Sequence, residues 1–140
     1  MSRIGDILDS IVTQFQALAP ARTITRDFKA FTDPSLTDAE LTAGRITLKL
    51  AGVENYSNEV GLVMAHGTAK LVIYGQVKVA EDADGRALEE AEFALLEDVE
   101  ALAAALDPGL TGALMPTRHT QSQQLEHPYG WVAVECDFEL

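Results

Sequence analysis

From Gly130 to Leu140 the sequence alternates: Val132, Val134, Cys136, Phe138 and Leu140 fall on one face, and Ala133, Glu135, Asp137 and Glu139 fall on the other. Successive side chains of a strand point to opposite faces, so this segment reads as a β-strand with one face buried and one face wet. A half-buried strand commits the chain to a sheet with something packed against it. The same alternation places the single cysteine. Cys136 lies on the apolar face as a small core residue, and one cysteine cannot make an internal disulfide.

The packing partners are visible as a change of period. Ile4, Ile7, Leu8, Ile11, Val12, Phe15 and Leu18 recur at three- and four-residue intervals, which predicts an amphipathic helix capped by Ser2 and stopped by Pro20. Leu88, Ala91, Leu95, Val99, Leu102 and Leu106 repeat in the same way, which predicts a second long helix capped by Asp84 and ended by Asp107-Pro108-Gly109. Its polar face carries Glu89, Glu90, Glu97 and Glu100, and pairs such as Glu89 with Glu92 read as solvated surface charge.

Between the helices, β-forming stretches are separated by turn formers. Arg22 to Phe28 reads as a short edge strand, and Phe31 to Ala43 as a connection with one helical turn at Asp38 to Leu41. Ile46, Leu48 and Leu50 alternate with Arg45, Thr47 and Lys49, giving a buried face and a wet, cationic one. Ala51 to Gly61, with Gly52, Asn55, Ser57 and Asn58, reads as a loop. Val63 to Val79 is the longest strand candidate, with Gly67 and Gly75 marking bends or bulges. Ala113 to Gln124 is polar and ambiguous between strand and connection; with Glu126 to Gly130 as its turn, it could pair with the closing strand as a hairpin. The expected fold is a single α/β (α+β) domain, a mostly antiparallel or mixed sheet packed with two main helices. The 140 residues suit one substantial core and are short for two.

The charge of −12 is unevenly placed: Glu81 to Asp107 holds ten acidic residues and one base, Arg86, and so carries nine of the twelve net negative charges. The basic residues are scattered, with no patch that would neutralise phosphates, so direct nucleic-acid binding is not expected. A solvated acidic face is the simplest account. No apolar run approaches the roughly 20 residues that cross a bilayer, and Asp6 and Asp9 interrupt the start of the chain where a secretory signal would be apolar, so an intracellular protein is expected.

Reactive constellations are not evident. His66, His119, His127 and Cys136 lack the close pair spacings of zinc ligands. In a calcium loop placed with Gly85 sixth, the first and twelfth positions would be Ala80 and Ala91, which offer no oxygen; helix capping by Asp84 is the better reading, with weak divalent binding by Glu81, Asp82 and Asp84 as the alternative. There is no nucleophile elbow, phosphate loop or dinucleotide fingerprint, so neither an enzyme nor a cofactor is expected. Tyr56, Tyr74, Tyr129 and Trp131 are candidate contact residues, because aromatics with a polar end favour interfaces.

The order of elements adds a resemblance. An opening helix, a strand, loop and long helix over Lys70 to Leu106, and the finish Trp131-Val-Ala-Val-Glu-Cys-Asp-Phe-Glu-Leu140 resemble the tail terminator proteins of long-tailed bacteriophages, the minor tail protein U family of lambda-like phages and their prophage relatives. The resemblance implies a structural protein of the virion tail, assembled in the host cytoplasm as a hexameric ring that caps the completed tail tube. It implies as partners the tail tube protein, a head-completion or neck protein, and DNA that passes without specific binding. It implies no cofactor, catalysis or membrane. On that reading the subunit contacts are expected at the loop Ala51 to Gly61, with Tyr56 and Asn58, and at the acidic stretch containing Glu81, Asp82, Asp84, Glu89 and Glu90. These carboxylates would repel DNA phosphates in a channel or attract a basic partner. Another phage neck or head-tail adaptor, or a monomeric binding module, remains an alternative reading.

Overall fold

The computed structural model describes residues 2–57, 66–107 and 112–140. Helix α1 (Arg3–Leu18) opens the chain, and Ser2 caps it by accepting a hydrogen bond from Gly5 N at 2.9 Å. Strand β1 (Thr23–Thr25), the short helix α2 (Asp38–Ala43) and the antiparallel pair β2 (Arg45–Ser57) and β3 (His66–Lys78) follow. Helix α3 (Gly85–Ala105) then crosses back to the hairpin β4 (Met115–Gln121) and β5 (Tyr129–Glu139), whose turn contains a cis His127–Pro128 peptide. Among the described residues this is an α+β domain built on one mixed sheet of order β1-β2-β3-β5-β4, in which only the β1–β2 pairing is parallel.

One face of the sheet holds the core. Ile46, Leu48, Leu71, Ile73, Val132, Val134, Cys136 and Phe138 are buried there against Leu8, Ile11 and Phe15 of α1 and Leu88, Leu95, Val99 and Leu102 of α3. The alternation of the closing segment is realised fully, since β5 is buried at every second residue from Gly130 to Phe138. Its position in the sheet explains why. β5 pairs with β3 on one side and β4 on the other, so its backbone is satisfied along both edges.

Three expectations are corrected. Ala51 to Ser57 is strand, not loop: β2 continues through a register shift between Leu50 and Gly52 and a second between Glu54 and Ser57, where Asn55 adopts φ 57°. The turn-forming residues are absorbed as irregularities in an antiparallel ladder that β3 holds in place. Gly67 lies opposite the second irregularity, but Gly75 marks no bulge; it pairs in register with Ile46 and Val132. A Cβ there would stand 3.0 Å from Val132 Cγ2 and 3.2 Å from Leu95 Cδ1, so the missing side chain lets α3 lie close on the sheet. The second face is not uniformly wet, because Arg45 and Thr47 are 3% and 0% exposed while Lys49 remains exposed. The segment from Asp27 to Ala43 covers it. Arg45 Nη2 donates to Asp27 O at 2.7 Å and Nη1 bonds Glu40 Oε2 at 3.0 Å, while Lys78 Nζ reaches Asp38 Oδ1 at 3.1 Å.

Candidate functional site

The expected contact residues occupy two separate places. Tyr56 stands 55% exposed near the end of β2; Asn58 lies outside the described residues. Glu81 and Asp82 are exposed in the turn that follows the other end of β3, beside Glu90 on the first turns of α3. The thirteen residues of β3 separate the two groups, a distance of about 40 Å at the rise of a strand. Within the acidic group the side chains differ in what they do. Asp84 caps α3 by accepting from Ala87 N at 2.8 Å, and Glu89 is half-buried in a cleft shared with Glu92 and His119.

Among the described residues both flanks of the sheet are open. β1 pairs with β2 only from Arg45 to Thr47, so beyond Thr47 the outer edge of β2 has no strand beside it among the described residues. On the opposite flank β4 is exposed almost throughout, with Met115 at its start 62% exposed. An edge of this kind presents backbone donors and acceptors that another chain can use. β4 also carries features that discourage indiscriminate pairing. Pro116 lacks an N–H, and the register shifts between Pro116 and Arg118, where Arg118 forms an ion pair with Glu135.

Glu92 is a further correction. It is 1% exposed rather than on the helix surface, and its Oε2 accepts from Ser122 Oγ at 2.5 Å and from Trp131 N at 2.9 Å. The carboxyl group thereby joins α3 to both arms of the β4–β5 hairpin. Gly130 makes room for it, since a Cβ there would lie 2.6 Å from Leu88 Cδ1 and 2.9 Å from Glu92 Oε2. The sequence does contain the signal. Glu92 stands four residues after Leu88 and three before Leu95, inside the apolar stripe.

The candidate aromatics also sort themselves. Tyr74, Tyr129 and Trp131 belong to the second sheet face, where Tyr74 meets Phe28 with ring centroids 5.4 Å apart and Tyr129 meets Phe31 at 5.0 Å. A half-open cleft of about 250 Å³ lies among Phe28, Phe31, Tyr74, Gln76, Glu126 and Trp131. Phe28, Phe31, Gln76 and Glu126 share no local pattern, because they come from three separate stretches of chain.

Charge is paired across the strands. Lys70 Nζ bonds Asp137 Oδ2 at 2.9 Å, and this hydrogen bond raises the lysine pKa above its ordinary value. Burial pushes the Cys136 thiol up to about 12. Native protein at pH 8 is therefore expected to resist iodoacetamide over hours, while urea-unfolded protein is alkylated at the rate of a free cysteine, as intact-mass measurement will show. Rapid labelling of the folded protein would contradict the burial of this strand. Among the described residues no three His, Cys, Asp or Glu side chains are grouped to hold a metal ion, and no helix is long and apolar enough to cross a membrane. The chain matches no protein-family model and no curated protein sequence.

Proposed function

We propose that the chain is a structural subunit of a long-tailed phage or prophage, which forms a hexameric ring on the completed tail tube, ends its growth and offers a surface to the head or neck. The observation that carries this reading is the pair of unlike open sheet edges, β2 beyond Thr47 on one flank and β4 on the other. A closed ring uses heterologous contacts, in which one surface meets a different surface of the next copy, and two unlike edges on opposite flanks suit that arrangement. The element order from α1 to β5 supports it through the family resemblance. The exposed carboxylates Glu81, Asp82 and Glu90 give the ring an acidic end, which would let DNA pass a channel without adhering. Such a subunit binds its partners and performs no reaction.

Pro116 and the irregular register of β4 favour a second reading, a monomeric binding module whose edge is protected against pairing. Light scattering and electron microscopy separate the two. The ring reading expects a species of six times 15.1 kDa, or rings at the ends of added tail tubes. A single 15.1 kDa species at every concentration, with bare tube ends, would overturn it.

A further inference from the structure

The cleft on the second sheet face has a chemical bias independent of the ring reading. Its floor is Gln76, 2% exposed, which stands directly across from Trp131 in the β3–β5 ladder. Gln76 Nε2 donates to Lys29 O at 2.8 Å, which leaves Oε1 as a buried acceptor with no partner. At the rim, Glu126 Oε1 accepts from Trp131 Nε1 at 3.3 Å and keeps lone pairs to spare. Of the polar groups at floor and rim, the indole N–H and one of the two Gln76 amide N–H groups are already used, while the acceptors Gln76 Oε1 and the Glu126 carboxylate remain. The Tyr74 hydroxyl can serve in either sense.

A complementary ligand is therefore rich in donors and tolerates aromatic faces. Lys49 Nζ lies 5.1 Å from the Phe28 centroid and 5.6 Å from that of Tyr74, so these rings accept a cation; a second cation in the cleft meets that like charge and depends on the Glu126 carboxylate to offset it. We infer that the cleft takes the guanidinium of an arginine side chain carried by another polypeptide, stacked against Trp131 and the phenylalanine rings and hydrogen-bonded to Gln76 and Glu126. Guanidinium is planar, weakly hydrated and offers five donors and no acceptor, whereas an ammonium presents a compact, strongly hydrated charge. The size of the cleft suits one side chain rather than a larger ligand. The net charge of −12 also draws a basic partner toward the chain before contact is made.

Trp131 is the chain's one tryptophan and lines the cleft, so it reports occupancy directly. The full chain is titrated at about 0.15 M salt, where long-range attraction is screened, with the peptides Gly-Gly-Arg-Gly-Gly, its citrulline analogue and its lysine analogue, following Trp131 fluorescence and the indole N–H resonance. The arginine peptide should give a saturable change in both signals. The citrulline peptide, neutral but of the same shape, should bind at least about tenfold more weakly. Glu126→Gln, at an exposed position, should weaken arginine binding about fivefold without moving the denaturation midpoint, and Phe28→Ala should weaken it as well. Absence of saturation at concentrations on the order of 10 mM, an equal response to citrulline, or tighter binding of the lysine peptide would overturn the assignment.

Discussion

Glu92→Leu is expected to destabilise the protein by about 3 kcal/mol, because it strands two donors that Glu92 Oε2 now accepts, Ser122 Oγ–H and Trp131 N–H. Each buried donor left without a partner costs roughly 1–3 kcal/mol, and the relief of no longer burying a carboxyl group offsets part of that. Melting should fall by roughly 10 °C. Glu92→Gln keeps an acceptor oxygen of nearly the same reach and should cost only about 1 kcal/mol. Adding Ser122→Ala to Glu92→Leu removes one stranded donor, so the double variant should be more stable than the sum of the two single changes predicts. Urea denaturation gives all four midpoints. If Glu92→Leu unfolds within about 0.5 kcal/mol of wild type, the carboxyl group is not the joint between α3 and the β4–β5 hairpin.

Glu92 is buried by residues that no local pattern in the sequence connects to it. Helix α3 was legible from its leucines and from Asp84, and the polar residues nearby suggested a solvated face. What made Glu92 internal is the hairpin folded over it thirty residues later, whose Ser122 and Trp131 supply the bonds. β2 shows the same limit from the other side. Gly52 and Asn55 are turn formers by local preference, yet the strand continues to Ser57, because β3 lies alongside to hold a bulged ladder. Arg45 and Thr47 looked wet because alternation says which residues share a face; nothing local says that the stretch from Asp27 to Ala43 will cover that face.

Where the pattern is strong and the partner is near in sequence, sequence and structure agree. β5, its hairpin with β4, and the caps Ser2 and Asp84 all follow from residues within a few positions of one another. The candidate contact residues fared differently, since distance is a property of the fold. Tyr56 and the acidic group around Glu81 sit at opposite ends of β3, so they belong to two surfaces rather than one. The aromatic cleft arises only when β3 and β5 are neighbours and the chain after β1 lies over them.

Phe15→Ala is expected to cost about 3–5 kcal/mol, the range for truncating a buried phenylalanine when the cavity cannot fully collapse. Phe15 is 0% exposed and lies with Leu8 and Ile11 on the stripe that binds α1 to the sheet, whereas Leu18 on the same helix is 53% exposed and its change to alanine should stay within about 0.5 kcal/mol. The consequence extends past α1. Gln16, the next residue, holds β1 through its side chain: Nε2 donates to Arg22 O at 2.7 Å, and Oε1 accepts from Ile24 N at 3.2 Å. Loosening α1 therefore loosens β1, which is only three residues long and shields the first residues of β2. Hydrogen exchange of the Ile24 amide should accelerate in Phe15→Ala well before global unfolding, and more of the β2 edge should become available to other chains. Unchanged Ile24 exchange in a variant that has lost the expected stability would show that β1 is held by its ladder with β2 alone. A loss below about 1 kcal/mol would show that α1 does not close the core through Phe15.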